Sequence, residues 1–116
     1  MPKLPLPARA WERIQPFLHH KRARQRVVLY LIAGGYTVPD LVKMTVSELS
    51  ALRVHDDIAV ARDEATDGLS SKDPAFSNAL GKVLPYTAFY RIIRLAAQSA
   101  VGRPMSQEMF RTYVNK

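Results

Sequence analysis

The chain has 116 residues, 47% of them apolar, and carries 17 Lys/Arg against 10 Asp/Glu for a net charge of +7. That length predicts one domain with enough apolar content for a compact core, and the lack of cysteine excludes a disulfide framework or a thiolate metal site. No apolar run approaches the ~18 residues that span a bilayer, and the proline-broken start lacks a signal-peptide core, so the expectation is a cytoplasmic protein without a membrane partner.

The charge is unevenly placed. Residues 1–53 hold nine Lys/Arg against three acids, residues 54–73 two against six, and residues 74–116 six against one. Two basic segments around an acidic one predict a positive face, the electrostatic footprint of phosphate binding. The alternative is a basic surface that serves solubility alone.

Pro2, Pro5 and Pro7 remove amide donors from the start of the chain and predict an extended arm over 1–7. Trp11, Ile14, Phe17 and Leu18 then recur at helical spacing from about Ala8, and Pro16 should end or bend that helix. His19 to Arg26 is a cationic approach to Val27–Ala33, the most apolar segment, which reads as a buried helix stopped by Gly34 and Gly35. Thr37 is an N-cap with Pro39 in the first turn, and Thr45 with Glu48 forms a capping box for a helix to about Leu52.

A helix over Asp56–Thr66 opens with two acids at its positive end. Residues 68–73 read as loop, and Asp73-Pro74 as the start of a short helix to about Leu84. After Pro85, Thr87 is expected to cap the most amphipathic helix, 87–101. Phe89, Ile92, Ile93, Ala96, Ala97 and Ala100 lie on one face of it, with Arg91, Arg94 and Gln98 opposite. Gly102 ends that helix, and Ser106 caps a last one carrying Met109, Phe110 and Tyr113. No segment alternates as a strand does and no repeat is visible. The expected fold is all-α, an arm over 1–7 followed by a single compact multi-helix domain over 8–116.

Gly35-Tyr36-Thr37-Val38-Pro39-Asp40-Leu41-Val42-Lys43-Met44, continuing through Thr45-Val46-Ser47-Glu48-Leu49, resembles the first catalytic box of the tyrosine recombinases, the phage integrase family. The family pattern has an arginine where this chain has Thr37. Residues 102–113 are similar to the family's second box, with Gln107 at the first histidine, Phe110 at the arginine and Arg111 at the second histidine. With the helix over 22–33, the likeness covers most of residues 20–114. It implies a trimmed recombinase catalytic domain.

The family reaction needs two arginines on the scissile phosphate, proton-transfer groups and a nucleophilic tyrosine. Thr37 and Phe110 cannot supply a bidentate cationic fork. Neither Lys72 nor Lys82 can be assigned the family lysine's role, Tyr113 occupies a packing position, and the nucleophile's place falls beyond Lys116. The resemblance therefore implies a non-catalytic protein, not an enzyme.

Lys21, Arg22, Arg24 and Arg26 form the densest basic cluster, and four cations at a helix N-terminus oppose its dipole. Phosphate contact is the functional reading, a solvated helix start the bland one. Arg91 and Arg94 could track a backbone groove, or simply face solvent. Arg103 and Arg111 lie near the vestigial pocket.

Residues 37–53 also read as a helix-turn-helix, with Val38–Lys43 as first helix and Ser47–Arg53 as a recognition helix showing Ser47, Ser50 and Arg53, although a capped pair of core helices fits better; Lys43 is a further candidate DNA contact. His19, His20 and His55 lack metal-ligand spacing, so no metal or cofactor is expected. The sequence thus points to a DNA-binding regulator or accessory factor of a mobile element, with duplex DNA as partner and a homodimer to make enough contacts. The alternative is a module that binds a recombinase-family or regulator subunit without touching DNA.

Overall fold

A computed structural model describes every residue except Met1 and Ala79. It contains seven helices among the described residues: α1 (Ala8–Leu18), α2 (Ala23–Ala33), α3 (Val38–Lys43), α4 (Val46–Ser50), α5 (Asp56–Ala65), α6 (Tyr86–Val101) and α7 (Gln107–Val114). The described residues form no strand, only two isolated antiparallel bridges, Thr45 with Pro74 and Ser77 with Val83. The fold is all-α.

Helix α2 is the axis of the domain. It is apolar on every side from Val27 to Ala33, and a helix without a polar face must be surrounded. All seven of those residues are buried, and α1, α5, α6 and α7 pack around them. Each neighbour brings a one-sided apolar stripe: Ile14, Phe17 and Leu18 from α1, Ile58 and Ala61 from α5, Phe89, Ile93, Ala96 and Ala97 from α6, Phe110 and Val114 from α7. Phe17 meets Phe110 edge to face at 4.9 Å, which joins α1 to α7.

The local stop and start signals act as expected. Gly35 takes φ 112°, which reverses the chain after α2. Thr37 and Asp40 cap each other's amides at 3.3 and 2.9 Å, and Thr45 and Glu48 both at 3.2 Å. Ser106 Oγ accepts from Met109 N–H at 3.2 Å.

Several expectations are corrected. The described residues of the arm, 2–7, are extended and lie against the domain. Lys3 N–H donates to Gly34 O at 2.7 Å, Leu6 N–H to the Tyr30 hydroxyl at 3.1 Å, and Leu6 joins the core. Pro16 sits inside α1, which continues to Leu18. Helix α6 begins at Tyr86 after Pro85, so Thr87 lies in its first turn and is not its cap. Met109 is exposed, while Val114 takes the core position on α7.

The expected helix over 74–84, which includes Ala79 outside the described residues, does not form. Asp73 turns its carboxylate back to Ser70 N–H at 2.8 Å instead of capping a helix. Ala75 N–H donates to Met44 O at 2.9 Å, and Asn78 Oδ1 accepts from both Leu80 and Lys82 amides, at 2.9 and 3.1 Å. A short polar side chain that satisfies nearby amides competes directly with the helical ladder.

Candidate nucleic-acid interface

The arginines divide into two groups by what their guanidinium groups hold. Four act as staples on main-chain carbonyls. Arg13 Nε donates to Tyr113 O at 2.9 Å and its guanidinium lies 4.8 Å from that tyrosine's ring centre. Arg24 Nη1 donates to Ser77 O at 2.8 Å, and its buried Nε has no partner. Arg62 Nη1 reaches Leu49 O and Leu52 O at 3.3 and 3.1 Å, at the end of α4. Arg111 donates through Nε to Ile32 O at 2.9 Å and through Nη2 to Tyr36 O at 2.8 Å.

The Tyr113, Leu49 and Ile32 carbonyls lie in the last turns of α7, α4 and α2, where helix ends leave acceptors open and a cation suits the negative end of the dipole, while Ser77 and Tyr36 lie outside the helices. The forks of these staples are engaged in holding the fold.

The second group is unattached. The side chains of Lys21, Arg22, Arg26, Arg91 and Arg94 hydrogen-bond to no other described residue, and the one ion pair among the described residues is Arg62 with Asp63 at 3.9 Å. Lys21, Arg24 and Gln25 form one wall of a cavity of about 220 Å³, whose other wall is Leu84, Ala88, Arg91, Ile92 and Leu95. A neighbouring cavity of about 420 Å³ is lined by Gln15, Leu18, His19, His20, Lys21 and Arg26.

Lys21 belongs to both cavities, which puts Lys21, Arg24, Arg26 and Arg91 on one face with no carboxylate lining either depression; Arg22 and Arg94 are exposed beside it and line neither. Arg22 is the extended N-cap of α2, where Gln25 Oε1 accepts from its amide at 3.2 Å. The positive end of the α2 dipole adds to these charges. The rings of His19 and His20, 3.9 Å apart, stand on this face; the sequence placed them in the cationic approach to α2 but not among the DNA contacts. Their adjacency to Lys21 was the available signal.

The other expected contacts lie elsewhere. Arg103 lines a separate depression with Met105, Glu108 and Tyr113. Lys43 is exposed on the last turn of α3. Arg53 is exposed beyond the end of α4, a helix of 5 residues. A recognition helix over Ser47–Arg53 is therefore not present.

The two stretches that carry the resemblance, 35–49 and 102–113, touch each other. Gln107 Oε1 accepts from Val38 N–H at 3.2 Å while Arg111 holds Tyr36 O, so residues 36–38 contact α7 directly. Thr37 at this junction is engaged as a cap, and Phe110 is 0% exposed. No protein-family model matches the chain, nor does any curated protein or solved structure. No helix among the described residues is long and apolar enough to cross a membrane.

Proposed function

We propose that the chain is a non-catalytic protein that binds duplex DNA through the face built from Lys21, Arg22, Arg26, Arg91 and Arg94, with Arg24 in its wall. The observation that carries this reading is the meeting of two basic segments, distant in sequence, around one groove without a neutralising acid. Unpaired guanidinium and ammonium groups gathered on one face are what phosphate contact requires, through release of condensed counterions.

The recombinase resemblance supplies the role, a regulator or accessory factor of a mobile element. It draws support from the contact between the two boxes. Non-catalysis is supported by the positions that would carry charge in that family: Thr37 caps α3, Phe110 fills the core and Arg111 holds carbonyls.

A second reading rests on the apolar wall of the groove, Leu84, Ala88, Ile92 and Leu95, which a phosphate does not need. It makes the chain a module for a protein partner, a recombinase-family subunit among them, without DNA contact.

Fluorescence anisotropy on random duplex DNA across a salt series separates the two. The comparison variant is K21A/R22A/R91A/R94A, with Arg24 kept because it holds Ser77 O. The slope of log affinity against log salt should shrink by about 0.9 for each phosphate that the variant no longer neutralises. Absence of binding at low salt overturns the DNA reading.

A further inference from the structure

We infer that the groove between α2 and α6 takes the outer face of α5 from a second copy of this chain. The groove is an apolar floor with a cationic rim: Leu84, Ala88, Ile92 and Leu95 below, Lys21, Arg24 and Arg91 around them. Leu95 is 50% exposed on a helix whose Phe89, Ile93, Ala96 and Ala97 are all turned into the core.

The complementary surface is on α5. Val60 is 67% exposed, and it sits at the centre of that helix's outer face. Asp56 and Asp57 lie one turn before it and Asp63 and Glu64 one turn after, on the same side by helical spacing, and all four are exposed. The one base of α5, Arg62, is turned inward onto the Leu49 and Leu52 carbonyls and reaches the ring only through a 3.9 Å pair with Asp63, which leaves Asp56, Asp57 and Glu64 without a cation partner among the described residues. An apolar knob inside a ring of carboxylates matches an apolar floor inside a ring of cations.

The two surfaces share no residue, so the contact is head to tail. Each copy in a pair keeps one free groove and one free α5, and association continues into longer chains unless the rotation closes a ring. The net charge of +7 opposes approach at long range, which makes the assembly weak and concentration-dependent. Screening at about 0.15 M salt, with a range of about 8 Å, removes much of that repulsion and leaves the close pairs.

Sedimentation velocity on nucleic-acid-free protein over a wide concentration range, at about 0.15 M salt, tests this with two variants. V60K/D63K alters only the α5 face and R91E/L95E only the groove. All four positions are exposed, and circular dichroism confirms that each variant folds. The wild-type sedimentation coefficient should rise with concentration, and each variant alone should stay monomeric.

An equimolar mixture of the two variants should form a two-chain species and nothing larger, since one copy offers only a groove and the other only a helix. A wild type that stays monomeric, a variant that self-associates as the wild type does, or a mixture that stays monomeric overturns the inference. The outcome is independent of the nucleic-acid reading, because V60K/D63K leaves the cationic face intact and, with its added positive charge, should bind DNA at least as well as the wild type.

Discussion

Removing a single hydroxyl, Tyr30→Phe, should cost far more than one hydrogen bond. Tyr30 is 0% exposed in the middle of α2. Its oxygen accepts from Leu6 N–H at 3.1 Å and His55 N–H at 3.3 Å, and it lies 2.7 Å from His55 Nδ1. With both amides directed at the oxygen, the phenolic proton is the one left to bridge to Nδ1. One hydroxyl thus ties the N-terminal arm, the central helix and the start of α5 together. His55 is further held by Trp11, stacked on its ring at 4.1 Å and 5°.

In the phenylalanine variant three polar groups are left without a partner and water reaches them poorly. The Leu6 amide, on a residue 3% exposed, should cost about 1–2 kcal/mol, and each of the two groups on half-buried His55 about half as much, from the usual cost of an unsatisfied buried group. The total is about 2–4 kcal/mol, or a fall of about 8–16 °C in Tm at about 4 °C per kcal/mol for a domain of this size.

Urea unfolding followed by far-ultraviolet circular dichroism gives the total. Fluorescence of Trp11, the only tryptophan, reports the local change. Amide exchange at Leu6 and His55 should accelerate more than exchange within α6. A loss below about 0.5 kcal/mol, with exchange at those amides unchanged, would refute the argument that this hydroxyl joins the three segments.

Arg111→Ala should destabilise by about 2–3 kcal/mol, because it leaves the Ile32 and Tyr36 carbonyls without their charged donor. DNA affinity per folded molecule should be unchanged, as a denaturant titration paired with anisotropy can check. Thr45→Ala should cost about 1 kcal/mol by removing the cap on Glu48 N–H, measurable as a shift in the urea midpoint at constant m. Arginine at Thr37 and arginine at Phe110 should differ sharply in cost. Thr37→Arg loses only a half-exposed cap, about 1 kcal/mol. Phe110→Arg puts a charge at a position 0% exposed and should abolish cooperative unfolding in the same titration.

Much of the fold comes from short-range chemistry that a sequence displays directly. Val27–Ala33 is apolar on every side and had to be the buried axis. Thr37 with Asp40, Thr45 with Glu48, and Ser106 start helices by bonds that span three residues. The 74–84 segment marks where local signals fail. Its helix signals were local, but Asp73 and Asn78 satisfy other amides and Ala75 pairs with Met44 across the fold.

Composition also pointed to a cationic face. It could not show which arginines belong to it. Arg24, Arg111 and Arg13 find their carbonyls across separations of 53, 79 and 100 residues, and Lys21 meets Arg91 only because α6 packs beside α2. An arginine bound to a distant carbonyl and one left free look identical in sequence, since partners that far apart are brought together by core packing and by no rule of local spacing.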